Sequence, residues 1–432
     1  MSGNNNIHGQ DESGRTFRMA CGPAEHALAR TLLEAQGYAF RPEPFSDIAF
    51  ALDAEPAPLG GSLANTFGLI YIQDRSSMLP PLMLAPRPGE AVLDMCASPG
   101  GKTSLLSLLV GPEGFVIGNE PNRTRLETLR RNLHRMNAVN AATCSFPGEE
   151  IPLPDGSFNC ILLDPPCSGW GTVDKNPNVM QIWGAGKTEP LEKLQRQLLK
   201  RAVELLAPGG RLMYSTCTTN PLENETQADF ALRELGLTLD PMEHPAGFTV
   251  DTPTMRHLDG VLRVGGGNEG GQGFFLARFV KPGRAEDVQP ESHVGDEMPG
   301  RPLSAAERTM CAEAGADLAG LPSGEVYRFG DNAYFLHSHA LRIIPGDMRW
   351  QGFPVGRFAG RKFKPDARLR ALLPAYDASR YVDAQSPDDI LSLLSGQSIA
   401  APSRGSWAGL AFRGVPLARL AVKGTRALWS DR

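Results

Sequence analysis

Pro165 and Pro166 bring an apolar run to an abrupt stop. Cys160-Ile161-Leu162-Leu163 has the character of a buried strand, and Asp164-Pro165-Pro166 follows it directly. Each proline fixes φ and removes a backbone donor, so neither a sheet ladder nor a new helix continues there. A strand ended this way delivers a carboxylate, and then Cys167, to the rim of a sheet on a stiff backbone. A second apolar run, Arg211-Leu212-Met213-Tyr214, ends in Ser215-Thr216-Cys217-Thr218 and brings a second thiol to a second strand end. Around these runs strands (residues 91–95, 115–119, 141–145, 237–239 and 273–280) alternate with helices (104–110, a segment carrying Leu126, Leu129, Leu133 and Met136 on one face, 189–207 and 223–235). Such alternation predicts an α/β fold with a mostly parallel sheet covered on both faces, and its ligands sit beyond the carboxyl ends of the strands.

A chain of 432 residues is too long for one core. The segments divide into a polar tail (1–14), an N-terminal module (15–84), the alternating α/β domain (85–281), a linker rich in Pro, Gly and acidic residues (282–302) and a C-terminal domain (303–432). The N-terminal module is expected to hold a helix over 24–36, and Asp74 or Ser76 to cap a helix running toward Leu84. The C-terminal domain is expected to be a small α+β or barrel-like unit, with a helix over 305–314 and strand-like runs at 325–329, 333–336, 342–344 and 407–410. No segment reads as a membrane span or a signal peptide, so a cytoplasmic protein without membrane partners is expected. Seven cysteines, none spaced C-x-x-C, and no histidine at zinc-finger spacing predict neither a disulfide framework nor a metal.

Charge is uneven. Residues 340–432 carry fifteen Lys+Arg against seven Asp+Glu, which leaves 28 against 41 in the remainder. A basic segment on an acidic body fits a polyanion partner such as nucleic acid, or a merely solvated face. Trp350, Phe353, Phe358, Phe363 and Trp407 can stack on bases or fill the core; core filling is the expectation for so small a domain. The run 357–364 is the expected phosphate-contacting strip.

The loop Cys96-Ala97-Ser98-Pro99-Gly100-Gly101-Lys102-Thr103 fits half of a nucleotide-triphosphate loop, but the first glycine such a loop needs falls on Cys96. The dinucleotide pattern G-x-G-x-x-G is absent. The loop does fit the first turn of a methyltransferase fold, and Glu120, about twenty residues on at a strand end, stands where a ribose-binding carboxylate belongs. The thiols suit one chemistry in particular. Carbon 5 of cytosine is a poor nucleophile until a thiolate adds to carbon 6. Asp164 is placed to meet N3 during that addition, and a second thiol can assist release. An ordinary thiol, of pKa about 8.5, is only a few per cent thiolate at pH 7, so the site has to lower it.

Pro166-Cys167-Ser168-Gly169, Ser215-Thr216-Cys217-Thr218, the loop from Asp94 to Thr103, and Tyr71-Ile-Gln-Asp-Arg-Ser-Ser-Met78 resemble the Nol/Nop/Sun family of RNA cytosine-C5 methyltransferases. The resemblance spans roughly residues 15–281. It implies a Rossmann-like class I methyltransferase fold and S-adenosyl-L-methionine as cofactor. It makes Cys217 the nucleophile and Cys167 the residue assisting release, with Asp164 and Lys102 completing the catalytic set. Cofactor contacts are implied at Cys96, Ala97, Ser98, Pro99, Gly100, Gly101, Lys102, Glu120, Arg125 and Asp164. Lys175 and Pro177 match the Lys-x-Pro after the Pro-Cys motif. The family's adenine-side Asp is replaced here by Pro147, and Arg263-Val264-Gly265-Gly266-Gly267 stands where the family has a proline-containing strand. The basic C-terminal segment resembles that of bacterial members which methylate 16S ribosomal RNA and carry a PUA-like RNA-binding domain. A monomer acting on 16S ribosomal RNA is implied, with tRNA as the second substrate and a non-catalytic ribosome-assembly factor on the same fold as the alternative.

Overall fold

In the computed structural model, residues 15–173, 182–183, 186–265, 273–284, 292–293 and 295–430 are described. Lys175, Pro177, Gly266 and Gly267 lie outside them. The first elements are β1 (Thr16–Met19), α1 (His26–Ala35), β2 (Ala39–Glu43), β3 (Ser46–Ala54), α2 (Leu63–Thr66) and β4 (Ile70–Ile72). The four strands form one antiparallel sheet in the order β2-β3-β1-β4. Helix α3 (Arg75–Leu84) then leads into the central domain, its amino end capped by Asp74, which accepts from the Ser76 N–H at 3.1 Å.

The alternating segments become β5 (Ala91–Asp94), α4 (Gly101–Val110), β6 (Phe115–Asn119), α5 (Arg123–Arg135), β7 (Ala141–Cys144), β8 (Phe158–Leu163), α6 (Glu189–Leu205), β9 (Leu206–Thr216), α7 (Glu225–Arg233), β10 (Thr238–Leu239), β11 (Val250–Asp251), β12 (Leu262–Val264) and β13 (Phe274–Val280). Strands β7-β6-β5-β8-β9 run parallel in that order, and β13 pairs antiparallel with β9. Strands β5, β6 and β7 are buried along their whole length because helices cover both faces, so they read as continuous apolar runs rather than alternating ones. The order reverses between β5 and β8, and the carboxyl ends of those two strands flank a crevice.

The C-terminal region is rich in strands with short helices between them, in keeping with the expected α+β character. It holds two sheets. The first comprises β14 (Arg301–Pro302), α8 (Ala305–Glu313), β15 (Gly324–Phe329), β16 (Asn332–His337), α9 (Ser338–Ile343), β17 (Trp350–Gln351), β18 (Phe353–Ala359) and β19 (Lys362–Pro365). Its sheet runs β14-β15-β16-β18-β19, whereas β17 leaves it to pair antiparallel with β7 and extend the central sheet. The second comprises β20 (Tyr381–Ala384), α10 (Pro387–Leu394), β21 (Ser398–Ala400), β22 (Trp407–Phe412), β23 (Val415–Lys423) and β24 (Arg426–Leu428). Its inner face shares one core with the N-terminal sheet, where Ile390, Leu410 and Leu420 pack with Phe17, Leu32 and Phe50.

The strand expected at 342–344 is instead the end of α9. The His337 ring accepts from the His339 N–H to start that helix, and Ala340 and Ile343 pack into the central core. Two adjacent isoleucines carry no period, so the sequence could not separate helix from strand there. Phe353, Phe358 and Phe363 are core residues of the first sheet, as expected; Trp350 and Trp407 are half-buried. Among the described residues no helix is long and apolar enough to cross a membrane.

Candidate active site

The parallel pairing of β8 and β9, with Leu163 opposite Tyr214, sets the two strand ends side by side. The stiff Pro165-Pro166 turn and the end of β9 then bring the Cys167 and Cys217 sulfurs to 3.2 Å. Asp164 is braced on both oxygens: Lys102 Nζ donates at 2.6 Å and Ser215 Oγ at 2.9 Å. The Cys167 S–H donated to Cys217 lowers the Cys217 pKa; Lys102 lowers it further, against burial and the Asp164 charge. Cys167 moves the opposite way, well above an ordinary thiol, held there by the same sulfur–sulfur hydrogen bond and by burial. The contact thus moves the two thiols in opposite directions, Cys217 toward the thiolate and Cys167 away from it.

A residue that sequence reasoning missed holds the two thiol loops together. Glu223 is fully buried just before α7. Its carboxylate accepts from the Ser168 N–H at 2.9 Å, the Ser168 hydroxyl, Asn220 Nδ2 at 3.0 Å and Gln195 Nε2 at 3.1 Å. Ser168 also meets the Thr218 hydroxyl at 2.7 Å, and Gly171 N–H donates to the Cys217 carbonyl at 3.0 Å. Every donor on Glu223 comes from a loop beside a thiol or from α6 behind it. An acidic residue at the start of a helix reads as an ordinary exposed end. The available signal was its position, six residues past Cys217.

The cofactor side is built on β5 and β6. Asp94 is 1% exposed; its Oδ2 accepts from Thr103 Oγ1 at 2.7 Å, and its Oδ1 is buried with no hydrogen-bond partner among the described residues. Burial pushes its pKa up to about 6. Gly100, at φ +104°, turns the chain into α4, and a Cβ on Gly101 would sit 2.8 Å from the Tyr71 ring. Only glycine fits that approach. Arg18, fully buried on β1, donates to the Gly101 carbonyl at 2.7 Å and to Ser104 Oγ at 2.6 Å, so the N-terminal sheet grips the first turn of α4.

Ala97 N–H donates to the Asn119 carbonyl at 2.9 Å, and burial raises the Cys96 thiol well above its ordinary pKa. Glu120 follows β6, buried, with Asn122 N–H at 2.9 Å and the exposed Arg125 guanidinium at 3.3 Å. Arg125 also reaches the Ser98 carbonyl at 3.3 Å, across the mouth of the loop. Pro147 stands where the family has its Asp, and Glu149 and Glu150 follow in the next turn. Asn119 exchanges two hydrogen bonds with the Phe146 backbone, at 3.0 Å each, and holds that loop by its main chain. The side-chain-free turn, the unpartnered Asp94 oxygen and the strand-end Glu120 fit S-adenosylmethionine.

The expected site residues thus fall into two groups on one rim, joined by Lys102 and Asp164. A sheet whose strand order reverses beside such a turn, with thiols at the neighbouring strand ends, is what an S-adenosylmethionine-dependent RNA methyltransferase needs, and that is the class of this chain. The family described as 16S rRNA methyltransferase RsmB/F matches residues 81–280. The chain is 30% identical over 385 residues to a ribosomal RNA small subunit methyltransferase F of Shewanella loihica, covering 87% of this chain and 78% of that protein. The Shewanella amazonensis protein of the same name is 30% identical over 400 residues, with 90% and 84% covered. The chain belongs to this RsmB/F family of methyltransferases. Among solved structures, a methyltransferase homolog protein from Pyrococcus horikoshii shares 32% identity at a TM-score of 0.53, over 62% of this chain and 86% of that one. The NSun6 structure from Pyrococcus horikoshii with SFG, an S-adenosylmethionine analogue, shares the fold at 20% identity and a TM-score of 0.53, over 62% and 91%.

Proposed function

We propose that this enzyme methylates carbon 5 of a cytosine in small-subunit ribosomal RNA. The observation that carries the reading is the thiol pair, 3.2 Å apart at adjacent strand ends with Cys217 the lowered member. The Cys217 thiolate adds to carbon 6, and the electron pair displaced onto the ring makes carbon 5 nucleophilic. Bound S-adenosylmethionine supplies an electrophilic methyl group. Lys102 and Asp164 face the base as a donor and an acceptor, so charge building toward N3 meets a fixed pair rather than water. Once carbon 5 is methylated, its proton leaves to a base and the electrons of that C–H bond expel the Cys217 sulfur. Cys167, adjacent to that sulfur, assists the departure.

On the cofactor side, Glu120 holds the ribose hydroxyls, and the loop from Cys96 to Lys102, with Arg125 across it, encloses the methionine end. The target base is presented unpaired, since carbons 5 and 6 have to meet thiol and methyl donor together. The N-terminal module and the C-terminal region, taken as 15–84 and 303–432, bind RNA around it. The hairpin of β18 and β19 supports this: Arg357, Arg361, Lys362 and Lys364 are exposed, and among the described residues none pairs with a carboxylate. The names of the relatives given above favour small-subunit RNA.

Bisulfite sequencing of total RNA from cells with and without the chain tests the reading. Loss of one protected cytosine in small-subunit ribosomal RNA is expected. A lost tRNA cytosine would keep the chemistry and change the substrate, and no change at any cytosine would favour a non-catalytic assembly factor.

A further inference from the structure

The pairing of β17 with β7 has a consequence beyond the catalytic crevice. Trp350 lies opposite Cys144, the last residue of β7, so the segment just before Trp350 projects past the same carboxyl rim that carries the thiols. From β8 to β17 is four strand spacings, about 19 Å, a span that a few nucleotides of a single strand bridge. At that place a cleft of about 510 Å³ opens between α5, β16 and β17. This is the size of small-molecule sites in proteins generally.

Its walls suit a base. Tyr334 and Phe329 are half-buried and meet edge-to-face with centroids 5.9 Å apart, and Trp350 and Met348 line the same cleft. Its cations are Arg130 and Arg349. Arg130 is half-buried and spends its Nε on Thr143 Oγ1 at 2.9 Å; among the described residues neither it nor the exposed Arg349 pairs with a carboxylate. Burial lowers the Arg130 pKa, with Glu127 acting against it, so a further anion beside the guanidinium is favourable. Glu297 and Asp347 also line the cleft and are exposed. They repel a run of phosphates, so the space suits one base with its own phosphate on the arginine side. The surface continues outward: Tyr334 lies opposite Pro354 and Asn332 opposite Arg357, which joins the cleft to the basic β18–β19 hairpin.

We propose that this cleft is a nucleotide subsite, where an unpaired base of the RNA stacks against Tyr334 and Trp350 with its phosphate on Arg130 and Arg349. The proposal rests on the RNA-methyltransferase reading above, and it places a second point of RNA recognition on the catalytic rim, between the thiols and the basic hairpin. Stacking of a base on an aromatic side chain tolerates any sequence, so this subsite adds affinity and register rather than base identity.

The test uses the full chain and a small-subunit ribosomal RNA transcript sparsely substituted with 4-thiouridine. After irradiation, cross-links are expected in peptides containing Tyr334 or Trp350. Tyr334→Ala and, separately, Arg349→Ala should raise KM for the transcript on the order of tenfold with kcat within twofold and cofactor affinity unchanged. Cross-links confined to other peptides, while the transcript is still methylated, would overturn the subsite and leave the reading intact. Neither cross-links nor methylation would remove both.

Discussion

A sulfur hydrogen-bonded to another sulfur acts as an acid–base pair, and the Cys167–Cys217 contact makes separate predictions for each member. Cys217→Ala should abolish methylation while the protein stays folded. Cys167→Ala should leave addition to carbon 6 intact and slow release, so RNA accumulates as a covalent adduct resolved on a denaturing gel. Because the Cys167 S–H is the first cause of the lowered Cys217 pKa, the same variant should also move the pH profile of Cys217 alkylation upward. Equal adduct in both variants would overturn the assignment of roles. Asp94 gives a stability prediction. Its pKa is raised from 3.8 to about 6 by burial, so between those values the native state holds a proton that the unfolded chain has lost. Stability therefore falls as pH rises through that window, by about 3 kcal/mol at most. Asp94→Asn should flatten the fall in urea melts from pH 4 to 7; an unchanged slope would place the titration elsewhere.

At the scale of elements, two loops of different origin have to hold a sulfur–sulfur distance, and strand pairing fixes only where they begin. Glu223 supplies the rest. Its donors include a backbone N–H of the Cys167 loop, and Ser168 bridges directly to Thr218. Glu223→Gln keeps the shape but turns an amide donor toward groups that are already donors. It should cost about 1–3 kcal/mol of stability. The kcat should fall by far more than the unfolded fraction accounts for, with cofactor affinity, measured by calorimetry, unchanged. A loss of rate matching only the loss of folded protein would reduce Glu223 to a structural role. The loop around Pro147 illustrates the same logic. Pro147 stands where the family has its adenine-side Asp, and Asn119 holds that loop by its backbone.

For the whole molecule, the C-terminal region is built into the body of the protein. Ala340, Ile343 and Ile344 belong to the central core, β17 covers the edge of β7, and the second sheet completes the core of the N-terminal one. A chain ended at residue 302 would expose that edge and both apolar faces. It should aggregate on gel filtration rather than yield an active catalytic domain; a monodisperse, active fragment would show that this packing is dispensable. If the basic hairpin meets phosphate, Arg361→Ala with Lys362→Ala should lower RNA affinity and reduce the slope of its salt dependence by roughly one for each phosphate left without its cation. An unchanged slope would place the phosphates on another face.

Three features of the rim were legible in the sequence: which strands end in thiols, where the glycine turn falls, and that Glu120 closes the next strand. Those features are local. Proline geometry, glycine conformation and continuous apolar runs act within a few residues, so they survive reading in one dimension. Contacts between distant parts of the chain set the rest: that Glu223 and Arg18 are buried, that Arg342 and Ile343 end a helix, that the C-terminal region holds two sheets, and that β17 joins the central one. Each of these depends on partners far away in the chain. A charged side chain becomes internal only where distant donors satisfy it, and a two-residue strand exists only where an open sheet edge is waiting.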